Sequence, residues 1–284
     1  MKISNAGRIR WAAMAWLPLM LGTGEPVSAR DMLPLAPVPA GVGQEAGTQA
    51  GHAGGEDQPD PATWPAQRLQ AIARQLLDAS YGAGNFDADR SCWWQEWAEA
   101  GAGEPVRYCM RAAPPQLVRA GRQWQLHVLA YSDPQAELYS LDQPGLKGLF
   151  AAQLEVDGQW RPLAASAGSD VGQAGDCGCA DARLVQVGPA RHGWLSVAGG
   201  NWQGTAVAHY LLEVPLQGRY RNVSRVPRNV EGDDPLAFNQ LEIGREPAVA
   251  GMYPLQVSRR HGEAVLETRQ LLFDPAAGFY PWTP

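Results

Sequence analysis

From Val106 to Phe273 the apolar side chains keep returning at every second position, and that period fits little other than β-sheet. In QWQLHVLAYS, Trp124, Leu126, Val128 and Ala130 fall on one side, while Gln123, Gln125 and His127 fall on the other. The same alternation runs through TAVAHYLLEV (Ala206, Ala208, Tyr210, Leu212, Val214), YPLQVSRR (Tyr253, Leu255, Val257) and AVLETRQLLF. Shorter apolar runs lie near residues 149–156, 163, 184–187 and 194–197, giving about ten strands in all. Asp157-Gly158, Gly199-Gly200-Asn201 and His261-Gly262 read as turns between them. Sequential strands with short polar turns predict a mainly β fold, an antiparallel meander forming a sandwich, a partly closed barrel or a propeller fragment.

One segment departs from this period. Leu69, Ile72, Ala73, Leu76 and Leu77 recur at three-and-four spacing, with Arg68, Gln70, Arg74, Gln75 and Asp78 between them. This predicts a single amphipathic helix over 64–81, stopped by Gly82 and Gly84, whose apolar stripe must pack on the β domain of 63–284. Residues 30–62 are dominated by Gly, Ala, Pro and Gln and offer too little apolar surface to offset their ordering entropy. They are expected to form a flexible tether, with His52 incidental to it.

Ahead of the tether, Lys2, Arg8 and Arg10 precede an uncharged run from Trp11 to Leu21 and then Val27-Ser28-Ala29. Basic, apolar and small-residue regions in that order predict a cleavable signal peptide over 1–29. The apolar run is about half of the ~20 residues needed to span a bilayer, so no stable membrane anchor is expected after cleavage. The first cysteine is Cys92, so none stands at the cleavage site to take a lipid.

The chain carries a formal charge of −6, and removing residues 1–29 takes away three basic side chains and one acidic one, moving it to −8. Such a chain has no electrostatic reason to seek nucleic acid or an anionic membrane surface. Lysine occurs only at Lys2 and Lys147; every other basic residue is arginine.

Three stretches carry a resemblance: WQLHVLAYSD, LKGLFAAQLEVDGQW and YPLQVSRRHGEAVLETRQLLFDPAAGFY. Together they resemble exported, β-rich proteins of Gram-negative bacteria that have no assigned activity. The likeness covers roughly residues 117–280 and implies compartment and fold class. It implies no catalytic position.

Cys92, Cys109, Cys177 and Cys179 in an exported chain predict disulfides. Of the three possible connectivities, Cys92 with Cys109 suits a stapled hairpin and leaves Cys177-Gly178-Cys179 to close a tight ring. That ring is alternatively a thiol-exchange site or, as two thiolates, a soft-metal site. Asp176 and Asp181 flank it, and neighbouring negative charge disfavours the reactive thiolate. A structural bridge is therefore the expectation.

Asn85, Asp87, Asp89, Ser91 and Glu96 match positions 1, 3, 5, 7 and 12 of a calcium loop. Arg90 stands where the sharp turn requires glycine, and no exit helix follows, so a polar loop is expected instead. Trp93, Trp94 and Trp97 beside it form a candidate stacking surface, or else a roof between helix and sheet. Arg219, Arg221 and Arg225 lie at odd positions of a strand, which predicts one basic face, with Glu231, Asp233 and Asp234 close by to neutralise it. A turn near Asn201 would set His209 across from Trp194.

No His-Glu-x-x-His, nucleophile elbow or phosphate loop is present, and no cofactor is expected. The sequence thus points to a periplasmic or secreted, non-enzymatic module that binds an envelope protein or a cell-wall component. The alternatives are an envelope enzyme, either a hydrolase with a dispersed site or a thiol oxidoreductase at Cys177 and Cys179, and a metal-binding protein.

Overall fold

Ten consecutive residues, Gly145–Leu154, are all buried, and this one strand sets the layering of the protein. The structure is a computed structural model that describes residues 60–98, 104–155, 157–202, 205–229 and 236–283. The expected leader, residues 30–59 of the tether, and Glu231, Asp233 and Asp234 lie outside the described residues.

The described chain is mainly β, with antiparallel sheets and one α-helix. Helix α1 spans Ala66–Tyr81. It begins two residues later than the sequence pattern suggests, because Pro65 holds an extended conformation at the N-cap. The first sheet holds β1 (Phe86–Asp87), β2 (Cys92–Trp97), β3 (Val106–Ala112), β4 (Gln116–Ala120), β5 (Gln123–Ser132), β6 (Gly145–Leu154), β7 (Trp160–Ser166) and β8 (Asp170–Val171). Its main path is β1-β2-β3-β5-β6-β7, with β4 sharing an edge of β5 and β8 an edge of β6. The second sheet is a meander of β9 (Arg183–Gly188), β10 (Arg191–Trp202), β11 (Thr205–Leu216) and β12 (Arg219–Asn222). The third is a meander of β13 (Ala237–Ile243), β14 (Leu255–His261) and β15 (Ala264–Leu271). Among the described residues no sheet closes into a barrel.

Three apolar clusters join these layers. Ile72, Ala73, Leu76, Leu77 and Tyr81 of α1 pack on Leu126, Val128, Ala130, Phe150 and Ala152 of the first sheet. The approach is close: a Cβ on Gly148 would run into the Tyr81 hydroxyl, which donates to the Ala167 carbonyl at 2.9 Å. Burying each large aliphatic here contributes about 1.5–3 kcal/mol. The opposite face of the same sheet places Leu129, Leu149, Ala151 and Ala164 against Trp194 and Tyr220 of the second. Leu195, Leu212 and Val214 then meet Leu241, Leu255 and Val257 of the third sheet, with Phe273 and Tyr280 closing the cluster.

The alternation in β5 therefore does not mark one wet face. On its Gln/His side Gln123 is exposed and Gln125 half-buried, whereas His127 is fully buried against Tyr220 of the second sheet. Lys147 of β6 is likewise buried, with 1% of its side chain exposed, and its ammonium reaches the buried Glu213 carboxylate of β11. It also donates to Ser196 Oγ of β10 at 3.3 Å.

Removing water from two charges costs several kcal/mol per ion, which their mutual attraction offsets only while both are present. Lys147→Met alone is therefore expected to lower unfolding free energy by about 3–5 kcal/mol, and Lys147→Met with Glu213→Leu to recover most of that. Urea titrations followed by tryptophan fluorescence read both; a single variant within about 1 kcal/mol of wild type would remove the ion pair from this role.

Candidate functional site

The chain crosses from β11 through β12 and out along residues 222–225, and this path builds the main groove. Paired residues on one face of the β10/β11 hairpin, Ala198 with His209 and Gly200 with Val207, form its floor. Val171 and Gly172 at the end of β8 form one wall, and Asn222, Ser224 and Arg225 form the other. The groove holds about 560 Å³, a volume typical of small-ligand or short-peptide sites.

Its floor is low because β10 carries small residues there. A Cβ on Gly199 would run into the Val207 carbonyl, so this glycine lets the two strands approach. The Gly199-Gly200 pair is thus strand interior, and the two strands stay paired as far as Trp202 with Thr205. That register sets Glu213, rather than His209, opposite Trp194 and brings His209 opposite Ala198 into the groove.

Two basic side chains, Arg225 and His209, line the groove, and among the described residues no carboxylate does. The Arg225 guanidinium lies 4.0 Å from the Phe279 ring centroid, an arrangement that holds its position without neutralising it. Asn222 Oδ1 is already committed, accepting from the backbone N–H groups of Leu212 and Ser224 at 3.1 Å each.

The arginine trio does not form one face. Arg219 and Arg221 share the exposed side of β12, whereas Val223 at the next odd position is fully buried. The chain leaves the sheet at Asn222, which breaks the alternation and turns Arg225 toward the groove. Arg221 donates to Gln217 Oε1 at 3.1 Å.

The tryptophans divide as well. Trp93 is buried beneath α1, its indole donating to Asp78 at 2.7 Å and its ring tilted against Phe86 at 4.7 Å. Trp97 is half-buried against Gly168. Trp94 is half-buried, donates to Asp87 Oδ2 at 3.2 Å, and has the guanidinium of Arg107 4.1 Å from its ring centroid and that of Arg90 at 5.5 Å. Trp93 and Trp97 pack with the cluster between helix and sheet, and the Trp94 ring already carries two guanidinium groups.

Both cysteine pairs are bonded, Cys92 to Cys109 across β2 and β3, and Cys177 to Cys179. Cys177 and Cys179 are 2% and 6% exposed and packed in the cluster between the first and second sheets. In the polar loop, Asp87 Oδ1 accepts the N–H groups of Asp89 and Arg90 at 3.1 Å, and these bonds with that of Trp94 hold its carboxyl below the usual carboxylate range. Those oxygens close a turn. Among the described residues no group of three or more His, Cys, Asp or Glu side chains is arranged to hold a metal.

A buried polar seam runs between the first two sheets beside Lys147. His127 Nε2 lies in hydrogen-bond contact with Gln125 Oε1 at 3.2 Å and Nδ1 with the Tyr220 hydroxyl at 2.8 Å, and that hydroxyl also reaches the Phe150 carbonyl at 3.3 Å. The His192 ring lies 6.3 Å away, centroid to centroid. Burial, reinforced by His192, pushes the His127 imidazole down to about 3, and burial pushes the Tyr220 phenol far up. Both therefore stay neutral, and neither faces solvent.

No protein-family model, curated protein or solved structure matches this chain.

The seam carries a pH consequence. Below about pH 6.5 the unfolded chain binds a proton at His127 that the folded chain refuses until about pH 3, so stability falls with pH across that window by about 1.4 kcal/mol per unit. Urea midpoints measured from pH 7 to pH 4 are expected to drop less steeply for His127→Gln than for wild type. Parallel curves for the two proteins would mean that His127 takes up its proton equally in both states.

Proposed function

We propose that this chain is an exported binding module of a bacterial envelope that holds an acidic group of a protein or cell-wall partner in the groove at Arg225 and His209, without turnover. The observation that carries this reading is the groove's lining, which among the described residues has two basic side chains and no carboxylate, in a chain of net charge −6. A guanidinium in a concave, partly apolar site favours carboxylate or phosphate over neutral ligands. Val171, Val207 and Leu211 beside it suit an apolar segment flanking that anion.

Export is supported by the leader pattern at 1–29 and by the resemblance to exported β-rich proteins. Two disulfides are compatible with an oxidising compartment. No described helix is long and apolar enough to cross a membrane. Binding is favoured over catalysis because the cysteines, His127, Lys147 and Tyr220 are buried in structural roles, and the one imidazole in the groove, His209, has no carboxylate beside it among the described lining residues.

A photo-crosslinking residue at Val207, incubated with envelope extract, is expected to yield discrete adducts that fall at least about fivefold in the Arg225→Glu variant. Adducts equal in both proteins, or none in either, would sink the proposal.

A further inference from the structure

Strand β15 is the outermost strand of the third sheet, and it pairs with β14 alone among the described residues. Its outer edge presents unpaired backbone N–H and C=O groups. Nearly every residue of the strand is exposed, including Val265 at 53% and Leu266 at 60%, with Leu272 at 46% just beyond it. An edge of this kind is a template for another strand.

The charges on β15 identify which strand. Glu267 and Arg269 are two residues apart on one face, and the Arg269 Nε–H donates to Glu267 Oε1 at 2.6 Å. Arg269 Nη1 also donates to the Thr283 carbonyl at 2.8 Å, so the guanidinium is held in place. Two identical strands meeting antiparallel about a twofold axis must place some residue opposite its own copy. Centring on Glu267 sets Glu267 against Glu267, and centring on Arg269 sets Arg269 against Arg269; both are repulsive. Centring on Thr268 sets Glu267 against Arg269 twice, giving four charges of alternating sign around the axis.

We infer that β15 is a self-pairing edge, and that a second copy of this chain adds to it antiparallel, centred on Thr268, to make a continuous six-stranded sheet. The ladder is short. Leu266 has no residue directly opposite in β14, a local bulge that bends the strand just outside the three central pairs. Beyond that centre, Gln270 lies opposite the second copy's Leu266, whose diagonal neighbour is Leu272, so the exposed leucines flank the charged centre. An interface this small gives a weak, concentration-dependent dimer.

The test is sedimentation velocity on the full chain over a concentration series reaching about 1 mM, with hydrogen exchange at the β15 amides at each end of the series. A reversible dimer is expected, with added protection in β15. Glu267→Arg and Arg269→Glu each create two like-charge contacts and are expected to weaken it about tenfold, while the double variant restores the pairs and the dimer. A wild-type chain that stays monomeric overturns the inference, as does a dimer indifferent to either single reversal. So does a monomer whose β15 amides gain protection only when an unrelated extended peptide is added.

Discussion

Between the first and second sheets an ammonium and a carboxylate, Lys147 and Glu213, meet away from water. Neither tolerates that position alone, since an isolated charge in such surroundings costs several kcal/mol. A pair of this kind contributes modestly to net stability but restricts arrangement. Apolar faces can slide past one another with little change in buried area, whereas the two sheets here have one alignment that satisfies both ions. The His127 and Tyr220 contact extends the same restriction along the interface, because it too joins β5 to β12 through a directional bond. The layers on either side inherit their positions: α1 packs on the far face of the first sheet, and the third sheet on the far face of the second.

Much of this architecture can be read from residue patterns, and the failures have specific causes. The three-and-four spacing of Leu69 to Leu77 marks α1 because one side of that helix meets sheet and the other meets solvent. The alternation in β5 marks a strand, but Gln125 and His127 read as a solvent face when they are a polar seam under another sheet. Local sequence cannot distinguish those cases, since the covering layer comes from some 70 residues further on in β10 to β12. Gly199 and Gly200 look like a turn because glycine serves turns and close strand approach equally well; only the register shows which need they meet.

The candidate groove was half legible. Arg225 stands out as an arginine near a strand, but its association with Arg219 and Arg221 depended on an alternation that stops at Asn222. His209 joins it only because the hairpin turn falls later than the glycines suggest. Val171 and Gly172 arrive from another sheet. A site assembled from three separated segments, with backbone and small residues for its floor, leaves no local signature. The tryptophan cluster shows the reverse: a conspicuous motif whose members serve separate local contacts, Trp93 holding α1 to β2, Trp97 packing at Gly168 and Trp94 bonded to Asp87.

The burial of Lys147 also fixes the chemistry of the protein's exterior. It is the only lysine apart from Lys2, so within the described residues the folded surface has no primary amine, and its permanent positive charge is guanidinium. Guanidinium stays protonated across any accessible alkaline pH, so that positive charge does not fade as an ammonium surface would. Acylating, glycating or amine-directed crosslinking reagents find no side-chain target there until the first two sheets separate. Reaction at the Lys147 amine is thus a chemical record of that separation, built into the chain at a single position.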